Sequence, residues 1–124
     1  MKNKKTVKII FWIVTGLMSA MLLMGVSMYI LKTDEMKLQF LGLGFPPFLI
    51  YILMVAKPLG LIAIWTNKVK TLTEWAYAGL TFNLLLAVTA HVNVGDGEQF
   101  GALMVLILLA ISYFLYKKKE NMVD

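Results

Sequence analysis

The sequence predicts an all-α integral membrane protein, a four-helix antiparallel bundle with both termini cytoplasmic, and three observations carry that reading. Hydrophobic residues make up 60% of the 124, well above the roughly 45–50% of soluble domains. They gather into four runs, at about 9–31, 47–65, 74–94 and 100–116, each near the ~17–25 residues that cross a hydrocarbon core as a helix. Charge is placed around those runs. The 12 basic residues are all lysines, and all but Lys57 lie at the chain ends or in short connections. At this length the chain reads as one membrane domain.

The first run opens after the basic segment MKNKKTVK and extends from Ile9 to Leu31, about 35 Å as a helix. A secretory leader would carry a shorter apolar region followed by an A-x-A-like site, which is not seen, so the run is read as a span. Gly16 and Ala20 make a small-xxx-small pair where another helix can approach. Residues 32–38, KTDEMKL, read as a polar connection that ends this helix. In QFLGLGFPPF, the residues Gly42, Gly44, Pro46 and Pro47 predict a turn, with the second helix starting near Pro47. After TNKVKTLT, the Thr71-x-x-Glu74 pattern fits a capping box and places the start of the third span there. VNVGDGEQ, with Gly95 and Gly97 around Asp96, is a turn. The last run stops at Lys117, Lys118 and Lys119.

Four N-terminal lysines, Lys68 and Lys70 in the second connection and three at the C-terminal end fall on one side, against Lys32 and Lys37 on the other. The larger group belongs in the cytoplasm. Trp12, Trp65, Trp75, Tyr113 and Tyr116 then fall near the inner interface, and Tyr29 and Phe100 near the outer one. The partner this implies is the lipid bilayer, not nucleic acid, whose binders cluster basic residues on a folded polar surface. With no cysteine, thiolate chemistry and Cys-ligated clusters are excluded for this chain. One histidine excludes bis-histidine haem ligation within one subunit.

Lys57 is the costly residue. A lysine near the bilayer centre is disfavoured by about 2.5–3.5 kcal/mol on insertion scales, which calls for a pocket, a partner or a water-filled cavity. Pro58 beside it cannot donate to the carbonyl of Met54, and the ammonium leans back over that turn. On the third helix Gly79, Asn83, Ala87 and His91 share one small and polar stripe. Asn83 sits at a depth comparable with Lys57, either as a simple hydrogen-bond partner or as the second half of a ligand pocket. Tyr51, Thr15 and Ser19 read equally as pocket lining and as interhelical hydrogen bonds. His91 with Asp96 and Glu98 matches no established metal spacing, so His91 reads as bonded to its loop and no metal is assigned. The methionines are packing filler.

The stretches KIIFWIVTGL, LGLGFPPF, Lys57-Pro58-Leu59-Gly60 and LTEWAYAGLTFNLLLAVTAHVNVGDG resemble the DoxX-like family of small four-helix membrane proteins. The likeness runs from residue 8 to about 114, and is densest at Glu74-Trp75-Ala76-Tyr77-Ala78-Gly79 with His91 and Asp96. The better-known DoxX proteins have an acidic residue and paired glycines where this chain has its second-span lysine. The resemblance implies a multi-pass protein of a bacterial plasma membrane. It further implies an accessory or quinone-interacting subunit of a membrane oxidoreductase system, with quinone as the candidate cofactor and an oxidoreductase subunit as the candidate partner. Lys57, Asn83, Tyr51 and His91 are the candidate ligand-binding residues, and Pro58, Gly60, Trp75, Gly79 and Asp96 the structural ones.

No catalytic motif stands out, and catalytic residues are left unassigned. Two other classes stay open. A small transporter resembling the four-helix multidrug exporters in size would lack their first-span carboxylate, and Lys57 suits anions rather than cationic drugs. A structural or chaperone-like membrane partner would have no activity of its own.

Overall fold

The computed structural model describes residues 2–121. Among them the chain forms five helices, α1 (Lys2–Leu31), α2 (Thr33–Leu43), α3 (Leu49–Thr66), α4 (Lys70–Val94) and α5 (Gln99–Asn121), and no strand. Four of these, all but α2, are long and apolar enough to cross a membrane. α1 packs on α5 and α3, α4 packs on α5 and α3, and α2 lies against α1, α3 and α4.

Each long helix buries a seam of residues three, four or seven apart, the spacing that keeps one stripe facing a neighbouring helix. On α1 the seam is Phe11, Thr15, Met18, Leu22 and Val26; on α4 it is Thr73, Tyr77, Leu80 and Leu84; on α5 it is Val105, Leu109, Ser112 and Tyr116. Leu61 and Ile64 of α3 complete the core. The outward faces are apolar too, with Ile13, Leu17, Met24, Ile52, Phe82 and Phe114 all exposed. The buried polar residues are Thr15, Ser19, Thr73 and Ser112. This apolar-out arrangement suits lipid, where hydrocarbon offers polar groups no partner and helices bond one another instead.

Those polar groups tie the core together. Ser112 Oγ of α5 lies 2.7 Å from both Thr15 Oγ1 of α1 and Tyr77 OH of α4. Trp65 Nε1 of α3 donates to Ser19 Oγ at 2.8 Å, and Ser19 donates to the Thr15 carbonyl. Thr15 and Ser19 are thus interhelical bonding residues.

At one end the start of α1, the α3–α4 connection and the end of α5 meet. Trp12 and Trp65 stack at 4.9 Å, and Lys119 lies over the Phe11 ring. Asn67 closes α3 in the left-handed region (φ 45). Its side-chain oxygen accepts from Thr73 and Tyr116, its amide donates to Glu120, and Glu120 pairs with Lys70 at 2.8 Å.

Two expectations from the sequence are corrected here. Residues 33–43 are helical, not a connection. Asp34 and Glu35 in the first turn of α2 favour its positive end. Gly44 (φ 91) closes the helix in a Schellman arrangement, with Gly44 N–H donating to the Leu41 carbonyl and Phe45 N–H to that of Phe40. The glycine read as introducing the second span is the stop of a helix behind it, and α3 begins at Leu49 after Pro46 and Pro47. The capping box is also absent: α4 starts at Lys70 with no side-chain cap. Thr73 bonds back to Asn67 and the Ala63 carbonyl, while Glu74 reaches across to accept from Tyr113 at 2.8 Å and Lys117 at 3.3 Å.

Ser112→Ala leaves the hydroxyls of Thr15 and Tyr77 without their shared partner. Unfolding in detergent should become about 1–2 kcal/mol easier, the upper range for interhelical hydrogen bonds in membranes. Thr89→Ala, whose hydroxyl bonds only its own helix at the Leu85 carbonyl, serves as the near-neutral control.

Candidate functional site

Lys57 sits mid-helix on α3, and its side chain follows the general lean toward the helix N-terminus. That brings Nζ to the Tyr29 hydroxyl of α1, to which it donates at 3.1 Å. The nitrogen is 5.0 Å from the Tyr29 ring centroid, so it lies at the hydroxyl end of the ring and the hydrogen bond leads. A bond to a charged donor contributes about 1.5–3 kcal/mol, of the order of the ~2.5–3.5 kcal/mol insertion cost. An ammonium carries three donors, so Tyr29 leaves two for something else.

The Tyr29 ring is set by α2. Phe40 meets it edge-on at 5.7 Å and Phe45 packs on Phe40 at 5.9 Å. α2 thereby lies against α1, α3 and α4 and walls one side of a partly open cavity of about 320 Å³. Its wall takes Gly25, Met28 and Tyr29 from α1, Met36, Gln39, Phe40 and Leu43 from α2, and Phe45 from the turn. Leu49, Leu53 and Lys57 come from α3, and Asn83, Leu86, Ala87 and His91 from α4. The volume and the mix of an apolar wall with a few converging polar groups are those of small-molecule sites. No carboxylate lines it among the described residues.

Of the ligand-binding residues expected from sequence, Lys57, Asn83 and His91 share this wall and Tyr51 does not. Tyr51 is 49% exposed, and the Lys37 ammonium lies 4.9 Å from its ring centroid. The partner given to Lys57 is Tyr29 and not Asn83. Tyr29, Gln39 and the covering helix were missed by the sequence reading, which placed Tyr29 only at the membrane interface. The signals that would have found them are the acidic first turn and glycine stop of α2.

A second hollow, of about 200 Å³, runs between α3 and α4 and contains Gly60, Trp75 and Gly79. Lys57, Asn83 and Leu53 belong to both hollows. Pro58 is half-buried inside α3, which continues through it to Thr66. At Gly60 an added methyl would sit 3.8 Å from the Ala76 Cβ and from Leu80, ordinary contact that marks close approach of α3 to α4.

At the rim, Asp96 locks the α4–α5 turn. Its Oδ1 accepts the Glu98 N–H at 3.0 Å and its Oδ2 lies 2.8 Å from His91 Nδ1. An ionised carboxylate only accepts, so Nδ1–H is the donor. Ligand atoms of His91, Asp96 and Glu98 lie within 4.8 Å of one another, but Gln39 Nε2 donates to Glu98 at 3.5 Å and Asp96 is spent on the turn. The arrangement therefore works as a hydrogen-bonded clasp between α4, the α4–α5 turn and α2.

The Glu98 N–H, and then His91, hold the Asp96 carboxyl below its usual range. A depressed folded-state value stabilises the turn above the normal carboxylate pKa, and the effect is lost as pH falls through the lowered value. In micelles the Glu98 amide resonance should titrate with a midpoint below the ~3.9 of a free aspartate. A midpoint at or above that value would show the clasp is not formed.

A model of the DoxX-like family matches residues 13–115, and the chain belongs to that family. With the four apolar helices, this makes it a multi-pass membrane protein. Comparisons with curated proteins and with solved structures give no match.

Proposed function

We propose that this DoxX-like protein is a non-catalytic accessory subunit of a membrane oxidoreductase system, whose cavity receives the carbonyl-bearing head of a membrane-dissolved quinone. The single observation behind this is the Lys57–Tyr29 pair, an ammonium with two uncommitted donors in the wall of an otherwise largely apolar 320 Å³ cavity. Lys57 donates to one quinone carbonyl, the Asn83 amide lies within the same wall to donate to the other, and Met28, Phe40 and Leu53 cover the ring faces. His91 lines the wall with its Nδ1–H committed to Asp96. A carbonyl accepts without bringing a charge into the membrane, which suits a site with no countercharge to exchange.

In the same reading the chain is one domain, an antiparallel bundle of four spans in the cell membrane. The lysine distribution puts both termini in the cytoplasm, which leaves the cavity, α2 and the His91–Asp96 clasp toward the outer face. Carriage of small anions is the second reading. It is favoured by Lys57 being the one lysine, arginine or carboxylate side chain among the described residues of the cavity wall, and anion flux into proteoliposomes would support it.

Decylubiquinone titrated into the detergent-purified protein should quench tryptophan fluorescence saturably. Loss of one ammonium hydrogen bond in Lys57→Leu should weaken that binding about tenfold or more, with helicity and melting retained. A folded Lys57→Leu variant with unchanged affinity would remove the quinone reading.

A further inference from the structure

We propose that the furrow between α3 and α4 is a sideways entrance from the lipid, and that the apolar tail of the bound molecule stays in it while the head occupies the cavity. This rests on the head-binding reading above and adds the route and the shape of the ligand.

The furrow and the cavity adjoin, with Lys57, Asn83 and Leu53 lining both. Beyond those residues the furrow is walled by Ala56 and Gly60 of α3 and by Trp75, Ala76 and Gly79 of α4. Ala56, Trp75 and Gly79 are exposed on outward faces of helices long enough to span the membrane. A Cβ at Gly79 would meet nothing within 4 Å, so the groove over it is open space rather than a helix–helix contact. Toward the helix ends the cavity is lined by Phe40 and Leu43 of α2 and by Phe45. A molecule lodged in the furrow from the bilayer is within reach of Lys57 and Asn83, which line it. Its tail fits an alanine- and glycine-floored channel, and its polar head reaches the first polar groups along that channel, Asn83 and Lys57. Another furrow, between α4 and α5 at Tyr77, Ala78, Phe82 and Tyr113, shares no residue with the cavity and offers a control of matched character.

The test compares decylubiquinone with its tailless counterpart, 2,3-dimethoxy-5-methylbenzoquinone, by equilibrium dialysis against the full chain in micelles. Gly79→Leu fills the furrow from α4 and Ala56→Leu fills it from α3, so one can replace the other if either misfolds. Displacing about two buried methylenes corresponds to about a tenfold loss. The furrow variants should lose that much for the tailed probe and within about twofold nothing for the tailless one. Ala78→Leu should change neither, and Lys57→Leu should weaken both. If the furrow variants keep the full preference for the tailed probe while Lys57→Leu still weakens both, the tail lies elsewhere and only this inference falls. An equal effect of Ala78→Leu would also overturn it, as mere partitioning. If the unaltered protein binds neither probe, the head-binding reading fails and the entrance falls with it.

Discussion

A cation inside a hydrocarbon layer has to be satisfied by the protein itself, and most of what is distinctive here follows from how that is done at Lys57. Its partner is a phenol on another helix, and the phenol is held in turn by the edge-on contact of Phe40, itself packed on Phe45. Phe40 is a buried residue of α2. Placing one ammonium thus recruits α1 for the acceptor, α2 for the brace and α3 for the donor. The hollow is what remains where a short helix lies against longer ones without filling the space between.

The two ends of the molecule solve different problems. Where α1 begins and α5 ends, polar bonds tie the helices: Ser112 joins three of them, Asn67 bridges a helix stop to α4 and α5, and Glu120 gathers Lys70 and Lys119. Where α1 ends and α4 turns into α5, the helices part around a partly open cavity walled by α2 and by His91. A polar-bonded end and an apolar hollow with a few converging polar groups is the general pattern of a ligand site carried on a packed scaffold.

The four long helices were legible because their signal is gross: apolar runs of membrane length, bounded by lysines. Lys57 was legible because a charge in such a run is expensive wherever it lies, and Asn83 and His91 because period 3.6 puts them on the α4 face toward α3. Tyr51 shows the limit of that logic. It lies six residues before Lys57, and the rotation over that distance turns it away from the cavity. α2 was hidden because KTDEMKL is too polar to read as buried, and its anchoring aromatic, Phe40, lies in the next stretch beside two glycines. Tyr29 was read for its place along the membrane normal, which says nothing about the azimuth that aims it at Lys57. Thr71 and Glu74 matched a capping pattern, yet the tertiary pull of Tyr113 and Lys117 on Glu74 decided its role.

The neutrality of Tyr29 has a consequence for how the protein answers its medium. Charge pairs at the crowded end, Lys70 with Glu120 and Lys117 with Glu74, are partly exposed and weaken as mobile ions screen them over a Debye length of about 8–10 Å. A phenol holding an ammonium among largely apolar walls presents a dipole instead of a countercharge, so there is no ion pair between them to screen. Ionic strength is therefore a dial on the charge pairs and not on the Lys57–Tyr29 bond: brine slackens the seal of the termini and leaves that bond as it was.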